Sequence, residues 1–194
     1  MGEMTTTREA AAQTAGRPSP RDRILAAAAT LFYVEGINAT GVELIADTAE
    51  VSKRTLYKYF PSKTELVKQY LVFLLDGVSD PRSGGGDDPR ERLLALFTVK
   101  GRRDGPLRGC PFHNAAVEAA SAMPEVAEFV HVQKRAFAEA IIDLCRDCGV
   151  EEPSLLGRQI ALIYEGAAAL STSLDDDDPW TLAKTTVEML LDQA

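Results

Sequence analysis

Apolar side chains recur every three or four residues along most of the chain, which is the spacing of amphipathic α-helices. The first such stretch begins at Arg21, where Ile24, Ala28 and Leu31 share one face, and Gly36 is placed to end the helix as a C-terminal cap. No segment of convincing length alternates apolar and polar residues as a strand does. The pattern therefore predicts an all-α fold.

Two short amphipathic helices joined by a tight turn follow within residues 40–63. Thr40 stands where the N-cap of the first belongs, and Ser52 where that of the second belongs. Pro61 is expected to end the second helix, because proline has no N–H group and disfavours helical geometry in the residue before it. These features predict a helix-turn-helix unit over residues 20–64.

The second of these helices has two chemically different sides. At about 100° per residue, Leu56, Tyr59 and Phe60 fall on one side with Ser52. Arg54 and Lys58 point away from that side, with Tyr57 beside them. Lys53 and Thr55 lie on the flanks. We therefore expect the apolar side to pack and the cationic side to face outward.

The rest of the chain predicts further helices. Ser62 and Glu65 have the spacing of a capping box at the start of a fourth helix, which is expected to reach about residue 78. Most of the later helical patterns begin at a proline, a residue that the first turn of a helix tolerates well. They cover residues 89–103, 111–121, 124–148 and 153–174, with a last helix from near Pro179. The predicted organisation is a disordered tail over 1–19, the helix-turn-helix domain over 20–64, and a larger domain over 65–194.

The composition is that of a protein with a sizeable core, since 45% of its 194 residues are apolar. There is no apolar run of 18 or more residues and no charged-then-apolar leader, so neither a membrane span nor a secretory signal is predicted and we expect a cytoplasmic protein. Three cysteines, an odd number, argue against a disulfide framework.

The net charge of −8 is unevenly distributed. Residues 17–70 carry eight Lys or Arg against six acids, whereas residues 71–194 carry twelve against twenty-one. Residues 52–63 contain four cations and no acid. A local positive patch can therefore meet phosphate although the protein as a whole is acidic.

The segments G-x-x-x-T, I-A-x-x-A-x-V-S, T-L-Y-x-Y-F and x-S-K occur at fixed spacing within residues 21–70. This combination resembles the tetracycline-repressor (TetR) family of bacterial transcription regulators. The resemblance implies about nine helices: three that bind DNA, and a larger domain that binds an effector and forms a homodimer through the last two helices. Members are usually repressors released from their operator by a small molecule, though some activate.

The resemblance also implies that the third helix enters the major groove. Where many members carry Gly or Pro after the first residue of this helix, the chain has Arg54, a side chain able to contact guanine in a bidentate way. Thr40, Ser52 and Lys63 stand at helix starts, which favour phosphate, although plain capping also explains the two hydroxyl residues. The full predicted set of DNA-binding residues is Thr40, Ser52, Lys53, Arg54, Thr55, Tyr57, Lys58, Tyr59 and Lys63.

The segment R-G-C-P-F-H-N-A-A, which begins at Arg108, resembles one that lies beside the effector cavity in a subset of the family. The predicted pocket residues are Phe73, Phe97, Cys110, Phe112, His113, Asn114, Phe137 and Tyr164. The alternative for its aromatic members is ordinary core packing. Cys110 and His113, with Cys145 and Cys148 elsewhere, leave open a thiol-sensing or metal-sensing regulator, but neither set completes four ligands, and no metal or cofactor is predicted.

The last two helices carry small and apolar residues typical of a dimer interface, with burial inside one subunit as the alternative. Enzymatic activity is not predicted, because the chain has two histidines and no G-x-S-x-G, P-loop or Rossmann motif. The competing class is a helical adaptor that binds another protein, but an adaptor has no need of the outward cationic face.

Overall fold

The computed structural model describes residues 18–76, 81, 86–98, 108–119 and 122–194, and these residues form nine α-helices and no strand. The predicted all-α fold is therefore confirmed. None of the described helices is long and apolar enough to cross a membrane. The helices are α1 (Pro20–Val34), α2 (Val42–Thr48), α3 (Lys53–Tyr59), α4 (Lys63–Asp76), α5 (Pro89–Ala95), α6 (Pro111–Ala119), α7 (Pro124–Asp147), α8 (Pro153–Leu174) and α9 (Asp178–Gln193).

Helix α5 is shorter than its sequence pattern predicts. It ends at Ala95, and the N–H groups of Leu96, Phe97 and Thr98 donate to carbonyls only three residues back. Such tight turns often finish an α-helix. The predicted continuation over 99–103 lies outside the described residues, as do the predicted ends of α4 and α6 and the N-terminal tail up to residue 17.

The side chains form two hydrophobic cores. The first joins α1 to α4 with α6 and the N-terminal half of α7, and the rings of Phe32 and Tyr70 meet in it edge to face with centroids 5.5 Å apart. The second joins α5, the C-terminal half of α7, α8 and α9. The first core thus extends past the predicted domain boundary at residue 64, and α7 is the helix that the two cores share.

Helices α7 and α8 cross closely at Gly157. A Cβ atom at this position would lie 2.8 Å from the Cα atom of Ile142, closer than real Cβ atoms approach a backbone. Only glycine fits this crossing, which fixes α8 against the long helix that connects the two cores.

Candidate DNA-binding surface

Helix α3 has the two sides that its sequence predicts. Leu56 and Phe60 are buried in the first core, and Arg54 and Lys58 are exposed. The Tyr57 side chain is also exposed, at 41% of its full area. Tyr59 remains 38% exposed, so it is not a core residue, and its ring centroid lies 5.9 Å from Lys58 Nζ. The helix therefore presents a surface of cations and tyrosines.

The N-terminus of α3 is capped as predicted. Ser52 Oγ accepts a hydrogen bond from the Thr55 N–H at 3.1 Å and lies 2.8 Å from Thr55 Oγ1. Lys53 forms an ion pair with Glu43 of α2, which raises the pKa of the lysine and lowers that of the carboxyl. Arg54, by contrast, forms no ion pair with any residue that the structure describes. Among the described residues, Lys53 thus already has an anionic partner and Arg54 has none.

Thr40 is not the N-cap of α2, so that prediction is wrong. Gly41 holds the N-cap position, and no side chain caps the helix there. Thr40 is only 1% exposed, and its hydroxyl donates to the carbonyl oxygen of Gly36 at 2.7 Å. The hydroxyl satisfies a carbonyl just past the end of α1, where backbone acceptors lack helical partners.

Arg23 of α1, which no sequence motif singles out, supports the turn between α2 and α3. Glu50 adopts a left-handed conformation with φ of 53°, which few residues other than glycine and asparagine adopt readily. Arg23 Nη1 donates to the Glu50 carbonyl oxygen at 3.3 Å and lies 3.6 Å from its carboxylate. The arginine of α1 thus stabilises the turn that aims α3.

Lys63 begins α4 next to a well-formed cap, because Ser62 Oγ accepts from the Glu65 N–H at 3.1 Å. The lysine is half-buried, and burial lowers its pKa while the nearby Glu118 carboxylate acts in the opposite direction. Glu118 belongs to α6 and also accepts from the Asn38 N–H at 2.8 Å. No sequence signal links these residues, since Asn38 and Glu118 are 80 positions apart.

Three of the predicted pocket residues come together in the second core. The Tyr164 ring centroid lies 4.9 Å from that of Phe137 and 5.8 Å from that of Phe97. Trp180, which the sequence analysis did not select, completes this aromatic cluster at 5.2 Å from Tyr164. Burial raises the pKa of Tyr164 to about 12. These rings pack on one another, as the core-packing alternative expects.

Polar groups converge at the edge of the aromatic cluster. Lys134 Nζ donates to Cys110 Sγ at 3.4 Å and forms an ion pair with Glu165, and all three residues are half-buried. Asn114 uses its side-chain amide locally instead, since Nδ2 donates at 2.6 Å to the carbonyl oxygen of Arg108, six positions earlier in the chain.

The structure does not bring the other predicted pocket residues to the aromatic cluster. Phe112 packs against the first core, and Phe73 and His113 are exposed. A surface cleft of about 340 Å³ between α5, the end of α7 and α9 contains none of the predicted pocket residues.

The two cysteines at the C-terminal end of α7, Cys145 within the helix and Cys148 at its C-cap, are poorly placed for thiol chemistry. Burial raises the pKa of Cys145 to about 11 and also raises that of Cys148, so the reactive thiolate is disfavoured at both. In the described part of the chain, no three His, Cys, Asp or Glu residues are grouped so that they could hold a metal ion.

A second exposed surface lies on α8 and α9, which pack against each other. Leu162 is 74% exposed and Leu182 is 69% exposed. Gly166, on the same side of α8 as Leu162, is exposed, and a Cβ atom there would meet no atom of the described residues within 4 Å. The other large apolar side chains exposed on these helices are Leu155, Leu170, Leu174 and Met189. These residues form the α8–α9 apolar face.

Comparisons with known proteins agree with this arrangement. A family model described as bacterial regulatory proteins of the tetR family matches residues 24–70. The transcriptional activator FasR of Mycolicibacterium smegmatis is 33% identical over 178 residues, covering 84% of this chain and 76% of FasR. The transcriptional repressor KstR of Rhodococcus jostii is 32% identical over 127 residues, covering 63% of this chain and 60% of KstR. A TetR-family regulator from Streptomyces coelicolor superposes with a TM-score of 0.80 at 26% identity, covering 90% of this chain and 95% of the other.

Proposed function

Since the chain belongs to the TetR family of bacterial transcription regulators, we propose that it binds a near-palindromic operator as a homodimer and is released by a small-molecule effector. Members of this family are DNA-binding regulators and not enzymes. Repression is the direction we propose, as for KstR, although FasR is named an activator. The cytoplasm is the compartment we propose for this activity.

The observation that carries the proposal is the outward surface of α3. Buried Leu56 and Phe60 hold the helix, so Arg54 and Lys58 point into solvent from a fixed backbone. The segment around them contains four cations and no acid, while the C-terminal two thirds of the chain is acidic. Such a distribution attracts phosphate at one surface and leaves the rest of the protein to repel DNA.

The exposed side chains of α3 have separate proposed roles. Arg54 reads a guanine edge in the major groove, because its guanidinium can donate two hydrogen bonds to O6 and N7. Tyr57, Lys58 and Tyr59 contact sugar and phosphate, and these contacts fix the register of the helix. Lys53 contributes less, since Glu43 already offsets part of its charge.

The helix starts supply the remaining proposed contacts. The Ser52 and Thr55 hydroxyls and the free N–H groups at the start of α3 bind phosphate, as does Lys63 at the start of α4. Thr40 is part of the support for this surface rather than a contact, because its side chain is buried and its hydroxyl already has a carbonyl partner.

The α8–α9 apolar face supports the proposed homodimer. Gly166 is exposed and has no packing reason among the residues that the structure describes, and glycine is an unfavourable residue inside a helix. A neighbouring helix of a second copy can approach closely at such a position, and the leucines around it exclude water from the contact. A symmetric dimer places its two recognition helices about 34–36 Å apart, which is one turn of DNA.

The effector site that we propose lies at the edge of the aromatic cluster. Aromatic surface beside a few convergent polar groups is typical of small-molecule sites, and Cys110, Lys134 and Glu165 supply such groups next to Tyr164. Helix α4 begins at Lys63 and packs against α7, so a shift of α4 links this region to the DNA surface. A compound that raises the unfolding temperature is expected to change the distance between the recognition helices; an unchanged distance contradicts this route.

Titration of the purified protein against labelled DNA from upstream of its own gene tests the proposed function. We expect binding that survives an excess of random duplex and weakens as the salt concentration rises. Absence of salt-sensitive, sequence-selective binding contradicts the proposal and favours the helical adaptor instead.

A further inference from the structure

Asn38 in the loop between α1 and α2 is hydrogen-bonded twice to Glu118 of α6. The Asn38 N–H donates to Glu118 Oε2 at 2.8 Å, and the Asn38 side-chain amide donates to the Glu118 carbonyl oxygen at 2.9 Å. One bond reaches the side chain of Glu118 and the other reaches its backbone. Two bonds between the same two residues restrict rotation as well as distance, so the loop has a fixed angle to α6.

The Glu118 carboxylate is seated directly against the turn that ends α1. A Cβ atom at Gly36 would lie 3.1 Å from both carboxylate oxygens and 3.4 Å from Arg108 Nη2, and Gly36 has a φ of 95°. The Arg108 N–H also donates to the Tyr33 hydroxyl at 3.2 Å. The end of α1 is therefore held from two sides by the segment that contains α6.

Small side chains beneath Glu118 allow this close seating. Ala115 and Ala119 are fully buried in the first core, where α6 packs with the helices of the DNA-binding unit. Burial lowers the pKa of Lys63, and the negative charge of Glu118 partly offsets that decrease. Glu118 thus contacts the α1–α2 loop and interacts electrostatically with the first residue of α4.

We propose that Glu118 is a positioning residue for operator binding, whose hydrogen bonds to Asn38 fix the angle between the helix-turn-helix unit and the part of the chain that dimerises. The inference rests on the proposed function, because the angle matters only when two recognition helices must meet two half-sites together. A residue of this kind contacts no DNA. Its removal alters which half-site spacing the dimer accepts.

Glu118→Ala is expected to weaken binding to a correctly spaced operator without weakening binding to random duplex. Loss of the hydrogen bond to a charged acceptor frees the loop, so the affinity for a correctly spaced operator falls about tenfold. Random duplex has no required spacing, and removal of an acid beside Lys63 leaves its affinity unchanged or raises it. A change that only destabilises the fold weakens binding to both DNAs alike.

The experiment uses duplexes selected from a random pool by the wild-type full chain. Affinities are measured for the selected duplex, for the same duplex with one base pair added or removed at its centre, and for a scrambled duplex. Glu118→Ala should reduce the preference for the native spacing about tenfold. Glu118→Gln should retain that preference, because an amide oxygen still accepts from the Asn38 N–H.

Two further variants serve as checks. Val117→Ala, at a neighbouring side chain that is 65% exposed, should behave as the wild type and shows that α6 tolerates substitution. Asn38→Ala removes the hydrogen bond to the Glu118 carbonyl oxygen and keeps the one from the backbone N–H to the carboxylate. A bond to a neutral acceptor is weaker than one to a charged acceptor, so this variant should shift the spacing preference in the same direction as Glu118→Ala by a smaller factor. It tests the inference if Glu118→Ala does not fold.

Several results overturn the inference. The positioning role is contradicted if Glu118→Ala keeps the wild-type spacing preference, or if Glu118→Gln loses that preference as much as Glu118→Ala does. In either case the proposed function stands as long as the wild type still prefers the selected duplex to the scrambled one. If the wild type selects no duplex over the random pool, the proposed function fails and this inference fails with it.

Discussion

The outward surface of α3 and the α8–α9 apolar face are both exposed, but their chemistry differs. Arg54 and Lys58 of α3 carry charge, and an opposite charge such as phosphate stabilises such a surface. Leu162 and Leu182 are apolar, and removal of water stabilises such a surface. Exposure alone therefore identifies no partner. The chemistry of the exposed atoms points to DNA in one case and to a second copy of the chain in the other.

The two surfaces also differ in how they are held. Helix α3 has seven residues, too few to be stable alone, and depends on its buried residues, its cap and the support of Arg23 and Thr40. Helix α8 has 22 residues and packs along α7 and α9. We therefore expect substitutions at distant residues to change binding by the outward surface of α3. Binding by the α8–α9 apolar face should change mainly with substitutions within that face.

The largest expected effect is loss of the dimer. Leu162→Glu with Leu182→Glu places four carboxylates in the symmetric contact, and their repulsion and burial should weaken association by about 3 kcal/mol or more. Sedimentation velocity measures the shift from dimer to monomer, and operator affinity should fall with it. Val117→Glu with Val132→Glu is the matched control, since these exposed apolar residues lie on α6 and α7. A dimer that survives the first pair excludes the α8–α9 apolar face as the interface.

The next effect concerns base recognition. Arg54→Ala should weaken binding to the operator by about 1–3 kcal/mol and relax the preference for one base pair in each half-site. Binding to random duplex should change far less, because the bidentate contact to guanine is absent there. Arg135→Ala removes another exposed cation, on α7, and should leave both affinities unchanged. An equal loss on both DNAs contradicts a base-reading role for Arg54.

A smaller and less selective effect is expected at the start of α4. Lys63→Ala should weaken binding to operator and to random duplex by similar factors, because a phosphate contact carries no sequence information. Affinity measured over a range of salt concentrations should show a slope reduced by about one. A loss confined to the operator contradicts the phosphate role.

The smallest effect separates two lysines of the same helix. Lys53→Ala should weaken DNA binding less than Lys58→Ala, because the ion pair with Glu43 already offsets part of the Lys53 charge. Glu43→Gln should strengthen binding slightly by releasing that lysine. Fluorescence anisotropy at low salt resolves such differences, and equal losses for the two lysine variants contradict a role for Glu43.

Local chemistry explains which features the sequence predicts. The Ser52 cap, the Gly36 turn and the burial of Leu56 and Phe60 follow from residues close together in the chain, and the structure confirms them. The predicted N-cap role of Thr40 is wrong because a hydroxyl before a helix can either cap that helix or donate to a carbonyl earlier in the chain. The path of the loop determines which of the two bonds forms.

Contacts between residues far apart in the chain could not be predicted from the sequence. The Asn38–Glu118 contact joins residues of ordinary polarity that no motif connects. The position of Trp180 in the aromatic cluster likewise depends on how α9 packs against α8. Periodicity shows which face of a helix is buried but not which residues of another helix cover it.

We propose that the two exposed surfaces act together, so that two copies of the chain read one DNA sequence. Native mass spectrometry can test this with the wild-type chain mixed with equal amounts of a selected duplex and a scrambled duplex of different mass. We expect two chains bound to the selected duplex while the scrambled duplex stays free. One chain per duplex, or equal occupancy of the two duplexes, is incompatible with joint action of the two surfaces.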